Sequence, residues 1–332
     1  MSFWLDIAAF ALKAFLIVAA IGGLVILVAR LTRGESDDED AISIESLNER
    51  LSFRRARLNS EILPKKERKA LAKAAKKAAK TATPPDKRVY VLDFKGDISA
   101  SAVKRLGREI DAVLTVARAG ADEVVVRVES PGGTVTGYGL AATQLSRLRE
   151  AKVALTVTVD QVAASGGYLM ACVADRIVAA PFAILGSIGV VAQVPNINKL
   201  LKKHDIDFEE ITAGEFKRSV SIFGEITPAG REHFRGKLDS THDAFKAFVA
   251  KSRPQLDIAQ VANGDTWLGR EALELGLVDE LGASDAYLFR QRDSARIFEI
   301  SSATRKTLLQ QILSGFGFAA RAALSWTARG AL

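Results

Sequence analysis

Val157-Thr158-Val159-Asp160-Gln161-Val162-Ala163-Ala164-Ser165-Gly166-Gly167-Tyr168-Leu169-Met170-Ala171 is the passage on which the fold turns. It completes an apolar run that begins at Lys152, crosses a corner of small residues, and continues as a helical pattern from Ser165 to Val173. A strand that passes through small residues into a helix is a building block of α/β folds. A serine at such a corner has its hydroxyl lifted clear of the backbone, and small neighbours let a substrate carbonyl come close. Taken alone, Ala-Ser-Gly-Gly reads equally well as a tight turn.

A second glycine corner lies upstream. Val124-Val125-Val126-Arg127-Val128-Glu129-Ser130 is a β-branched strand that runs into Pro131-Gly132-Gly133-Thr134. Glycines there leave backbone N–H groups uncovered at the C-terminal end of a strand, where open α/β sheets place their chemistry. One amide from Gly132 or Gly133 and one from Gly166 make a candidate oxyanion hole, in which a single donor is worth ~3–4 kcal/mol of transition-state stabilisation. Around the two corners strand and helix patterns alternate. Strands are expected over Val89–Phe94, Val124–Val128 and Val153–Val159, and helices over Ser101–Ala119, Gly137–Glu150 and Ser165–Val173. Such alternation means an α/β domain with a largely parallel sheet. The nearly uncharged stretch Ile177–Val194 mimics a membrane span, but Pro181, Gly186, Gly189 and Pro195 break it into short buried strands and turns.

Together these motifs carry a resemblance. Ser-Pro-Gly-Gly (130–133), Ala-Ser-Gly-Gly-Tyr (164–168), Gly-Ser-Ile-Gly-Val (186–190) and Gly-Glu-Phe-Lys-Arg-Ser (214–219) resemble the signal peptide peptidase A family, in particular its SohB-type branch. Asn263–Gly269 and Ala272–Asp279 resemble the stretch that closes the family's catalytic domain, so the likeness covers Val89 to Leu288. It implies a Clp/crotonase-type fold and a Ser–Lys proteolytic dyad, with Ser165 as nucleophile and Lys217, 52 residues later, as general base. It also implies a ring-like homo-oligomer in which Lys217 of one subunit meets Ser165 of its neighbour. The expected substrates are peptides or proteins, attacked in extended apolar segments such as released signal peptides.

The chemistry of the residues agrees with that assignment. A Ser–His–Asp triad needs a well-placed histidine, and the chain has only His204, His233 and His242. His204 ends a lysine-rich helix, and the other two fall outside the apolar stripe Phe234, Leu238, Phe245, Phe248 and Val249 of a helix that starts at Thr227-Pro228. All three read as solvated surface histidines. A lysine accepts a proton at neutral pH only once burial has stripped its ammonium of water. Phe216, Val220, Ile222 and Phe223 around Lys217 are the apolar neighbours such burial needs. The single cysteine, Cys172, excludes an intrachain disulfide and a cysteine-cluster metal site and reads as a packed thiol. With no HExxH, paired CxxC or Walker-type loop, neither metal nor nucleotide cofactor is expected.

The chain ends have their own logic. From Ala14 to Ala29 there is no charge, and counting back to Ile7, with Lys13 as the one interruption, gives a run long enough for the ~20 residues a bilayer needs. The start, Met-Ser-Phe-Trp-Leu-Asp, lacks the basic region of a cleaved signal peptide, so residues 1–33 read as a single-pass transmembrane anchor, which the family resemblance implies lies in the bacterial inner (plasma) membrane. Arg30 and Arg33 put the catalytic domain on the cytoplasmic side by the positive-inside rule. The family's better-known members work on the outer face, and the side stays open. Residues 34–88 read as a charged, solvated helical stalk whose alanine–lysine run favours anionic lipid head groups. That run supplies much of the net charge of +7, and without stacking aromatics it is not read as a nucleic-acid binder. Residues 89–290 then form the Ser–Lys protease domain, and 291–332 a C-terminal strand and an amphipathic tail rich in Leu, Ile, Phe and Ala. Two rival readings keep the same fold: a catalytically silent membrane scaffold, and a crotonase-like acyl-CoA enzyme. The second also uses backbone amides but wants a carboxylate pair, for which Glu129 is the nearest candidate.

Overall fold

Seven strands form the main sheet of the protein, which is here a computed structural model that describes residues 41–81 and 85–302. Nearly all of these belong to one unit, Ile44–Ser301; the other, Met1–Ser43 with Ser302–Leu332, falls almost wholly outside the described residues. The strands in chain order are β1 (Ile42–Ser46), β2 (Arg88–Lys95), β3 (Glu123–Glu129), β4 (Ala154–Val159), β5 (Val162–Ala164), β6 (Arg176–Ala179), β7 (Ile184–Gly186), β8 (Thr266–Leu268), β9 (Glu280–Leu281) and β10 (Arg296–Ser302). The helices are α1 (Leu47–Ile62), α2 (Lys65–Thr81), α3 (Val103–Leu114), α4 (Val135–Glu150), α5 (Gly166–Ala171), α6 (Asn198–Lys203), α7 (Pro228–Ser252), α8 (Ile258–Val261), α9 (Gly269–Glu274) and α10 (Ser284–Gln291).

The main sheet runs β1-β10-β2-β3-β4-β6-β9, and its pairings from β10 to β9 are all parallel. Parallel sheets bury both faces, which is why β2 and β3 are almost continuously apolar. On one face Val89, Val91, Val125 and Val178 pack with Tyr287, Leu288, Ala295, Ile297 and Leu47. Alternation sends Leu92, Phe94, Val124 and Val126 to the other face, and there Phe94 meets Tyr138 of α4 edge-on at 6.2 Å. A second sheet, β5-β7-β8, pairs β5 with β7 in parallel and β7 with β8 in antiparallel fashion. It exists because β3 continues past its end: Ser130 bridges to Ala163, with Ser130 N–H donating to Val162 O and Ala164 N–H to Ser130 O.

Two buried charges, Glu123 and Arg253, are held in hydrogen-bonded networks. Glu123 accepts from Lys87 Nζ (2.6 Å), Tyr287 Oη (2.6 Å) and Thr156 Oγ1 (2.7 Å). Burial raises its carboxyl, but these three partners outweigh it and hold the group below its ordinary range. Arg253, almost wholly buried, grips Asp279 through both guanidinium nitrogens at 2.7 and 2.8 Å. Asp279 also accepts the Ile177 N–H, so the Leu-Val-Asp that closes the domain motif ties β6 to the end of α7.

Several expectations change here. The run read as a solvated stalk opens with the strand β1, and α1 is docked at its start: Leu47 is buried and Asn48 bonds to Arg292 O, Ala295 O and Ile297 N–H. The cause is a staple of residues 244–249 positions apart in sequence, which local pattern cannot reveal. The segment Ile177–Val194 contributes buried core only as far as Ile188, with Phe182 and Ile184 exposed on the way; beyond it Val191 is 80% exposed. The anchor expected over residues 1–33 and the tail after 302 lie outside the described residues. Among the described residues no helix is long and apolar enough to cross a membrane.

The Arg253–Asp279 pair gives a stability prediction. Burial raises the Asp279 carboxyl, but Arg253 and the Ile177 N–H more than offset it and lower its pKa. A lowered folded-state value contributes stability that is present above the unfolded carboxylate value and lost as pH falls toward the folded one. Arg253→Met is expected to cost about 1–2 kcal/mol, because it removes a two-pronged, charge-assisted hydrogen bond from Asp279, which water still reaches. Urea titrations from pH 7 down to pH 3 check both effects: the wild type should lose stability toward acid more steeply than Asp279→Asn.

Candidate active site

Ser165 stands between β5 and α5 with φ 51° and ψ −118°, in the left-handed region that β-carbon sterics disfavour. Its N–H donates to Gly186 O at 2.8 Å, and its carbonyl accepts the Leu169 N–H as the first bond of α5. The strained corner is thus clamped on one side by β7 and on the other by the helix that it starts. Two turns of backbone meet it. Gly132, at φ +94°, comes so close that a β-carbon there would sit 2.7 Å from Ser165 Cβ and 2.8 Å from Ala164 O and Gly166 N. Gly186, at φ +95°, leads into Ser187, also left-handed at φ 51°, whose N–H donates to Asp265 O.

The three glycines expected at the site are not equivalent. The Gly132 N–H donates inward to Ser130 Oγ at 3.1 Å. Gly133 and Gly166 N–H groups have no partner among the described residues. Gly133 is wedged against the Ile98 carbonyl, and Gly166 against the ring of Tyr138, so neither position has room for a side chain. Two free amides therefore flank the corner that carries the Ser165 hydroxyl.

Lys217 is elsewhere. It lies in an exposed turn whose N–H donates to Gly214 O, and no hydrogen bond or ion pair joins it to Ser165 within the chain. Its neighbour Phe216 stacks on His233 of α7, with ring centroids 3.9 Å apart. Two histidines correct the sequence reading: His233 is half-buried under that ring, and His242 reaches Ile188 O with Nε2 at 3.1 Å. Neither signal is visible in helix periodicity, because the partners come from loops. His204 is exposed, as read. Glu129, considered as a catalytic carboxylate, pairs with Lys95 at 3.2 Å. Cys172 is buried, and burial pushes its thiol to about 12, which leaves it unreactive.

The signature of peptidase family S49 matches residues 147–297, and that of the N-terminal part of the same family matches residues 2–145. The probable protease SohB of Haemophilus influenzae is 44% identical over 315 residues, which cover 90% of this chain and 88% of that one. The probable protease SohB of Buchnera aphidicola subsp. Schlechtendalia chinensis is 43% identical over 303 residues, covering 87% and 99%. Among solved structures, a mutant of the 1510-N membrane-bound stomatin-specific protease in complex with a substrate peptide matches at 16% identity and a TM-score of 0.43, over 68% of this chain and 97% of that one. The protein is a serine protease, a hydrolase. The chain belongs to peptidase family S49, on its SohB-type branch.

The close approach of Gly132 generates a prediction. Gly132→Ala would meet both a disfavoured φ and a β-carbon overlap at Ser165, and a reacting group displaced by about 1 Å costs on the order of 100-fold in rate. Peptidase assays on the purified variant, with circular dichroism as the check on folding, are expected to show that loss in kcat.

Proposed function

We propose that the protein is a membrane-anchored serine endopeptidase that cleaves peptide bonds in extended apolar segments, such as released signal peptides. Ser165 is the nucleophile, Lys217 the general base, and the Gly133 and Gly166 amides hold the oxyanion. The observation that carries this reading is the strained Ser165 corner with two unengaged N–H groups beside it. In acyl transfer the serine oxygen attacks the carbonyl carbon, and the amides stabilise the charge that develops on the carbonyl oxygen. The proton leaves the serine for the lysine, which passes it to the departing amine. The largely parallel sheet with its small second sheet supports a Clp/crotonase-type fold.

The exposed position of Lys217 favours a dyad completed between copies of the chain. A base needs its water removed, and within one chain Phe216, Ile222 and Phe223 around it are themselves more than two-fifths exposed. The apolar stripe of α7 is only half covered as well, with Val249 its one buried member. A homo-oligomer would bury both and carry Lys217 to a neighbouring Ser165. The basic helix α2, exposed along its described side chains, suits a surface of anionic lipid near the anchor of residues 1–33.

Ser165→Ala and Lys217→Ala are each expected to abolish hydrolysis without unfolding the protein, and Lys217→Arg should not restore it, since guanidinium keeps its proton. A residual rate in Lys217→Ala with the same pH profile as the wild type would count against Lys217 as the base. Co-expression of the two inactive alanine variants with different tags decides where the dyad forms: partial recovery in mixed oligomers means between chains, and none means within one. Carbonate washing is expected to leave the full chain in the membrane fraction, whereas deletion of residues 1–33 should release most of it. A shortened mature N-terminus near Ala29 would count for a cleaved signal peptide instead.

A further inference from the structure

Ser130 has no exposed surface, yet its hydroxyl takes no part in the strand ladder on either side of it. Its Oγ accepts the Gly132 N–H at 3.1 Å and lies 2.5 Å from Tyr138 Oη. Tyr138 Oη in turn donates to the Asp97 carbonyl at 2.8 Å. With the tyrosine proton committed to Asp97, the serine proton points at Tyr138 Oη. The bonds then run in one direction, from Gly132 N–H through Ser130 and Tyr138 to the Asp97 carbonyl. Each hydroxyl donates once and accepts once, and a chain of this kind strengthens its own members.

We propose that Ser130 and Tyr138 are positioning residues for the oxyanion hole: their hydroxyl chain draws the Gly132 N–H inward, fixes that glycine in its left-handed conformation, and so turns the next amide, Gly133 N–H, outward to the substrate. This rests on the reading of Gly133 and Gly166 as the oxyanion donors. The surroundings are cut to fit the pair. A β-carbon on Gly96 would overlap both hydroxyls, one on Gly166 would overlap the Tyr138 ring, and one on Gly167 would stand 2.6 Å from Ser130 O. Tyr138 thus touches both halves of the hole, one through its hydroxyl and Ser130, the other through its ring beneath Gly166. Its far side is fixed by Phe94. Burial holds the Tyr138 hydroxyl above its ordinary range despite the opposing bond to Ser130, so it stays a donor through neutral pH. Fully satisfied, the buried hydroxyls avoid the penalty that an unpaired polar group would impose.

The test uses the detergent-solubilised full chain, a fluorogenic peptide with an apolar residue before the scissile bond, and the matching peptide aldehyde, whose hemiacetal mimics the tetrahedral state. Removing a whole donor costs ~100–1,000-fold in kcat, so a donor left in place but misaimed should cost about 10–100-fold in Ser130→Ala and less in Tyr138→Phe. KM should stay within about threefold, because the interaction is made in the transition state alone. Aldehyde affinity should fall by the same factor as kcat, which a merely structural role would not produce. If Ser130→Ala does not fold, Tyr138→Phe carries the test, since its ring still fills the space under Gly166. Unchanged kcat and aldehyde affinity in the folded variants, or a loss confined to KM, overturns the positioning role. Ser165→Ala is assayed beside them: hydrolysis surviving in it sinks the nucleophile itself, whereas a dead Ser165→Ala with fully active Ser130→Ala and Tyr138→Phe sinks only the hydroxyl chain.

Discussion

A serine in a left-handed backbone conformation is the constraint around which this structure is arranged. Holding a non-glycine residue there costs on the order of 1–3 kcal/mol, and the conformation persists only where the surroundings over-determine it. At Ser165 they do so three times: by the bond to Gly186 O, by the start of α5, and by the stitching of β5 to both Ser130 and β7. Glycine would meet the backbone demand at no cost but would bring no hydroxyl. The fold accepts strain at one residue, and a hydroxyl stands at a sharp corner.

That choice explains the density of small residues nearby. Backbones from three loops converge on the corner within van der Waals contact, and side chains at Gly132, Gly133 or Gly166 would push them apart. It also explains the second sheet. The main sheet delivers β3 and β4 side by side, but the corner needs a shelf beyond their C-terminal ends; β5 and β7 supply it, and β8 closes it from the other side.

Much of the fold around the Ser165 corner was legible in the sequence because its signals are local. The β-branched runs of β2, β3 and β4 announce buried parallel strands, and Ser165 with its glycines announces the corner a few residues from where it lies. Thr227-Pro228 marks the start of α7, where the threonine side chain accepts the Gly230 N–H as expected of a cap. What could not be read depends on partners far away in sequence. Gly132 and Gly133 look alike as letters, and only the fold shows that the first N–H is spent on Ser130. His233 and His242 are addressed by loops that no helical period records. Asn48, in a run that reads as plain solvated helix, fastens α1 to the segment that leads into β10.

That fastening has a mechanical meaning. Asn48 satisfies two carbonyls and one amide at the entrance to β10, and Arg50 binds Glu299 at 2.5 Å, so the first helix and the last strand of the folded unit share one clasp. Unravelling cannot begin quietly at either end, since peeling α1 exposes β10 and peeling β10 frees α1. Within the described unit, then, the first helix and the last strand loosen together or not at all.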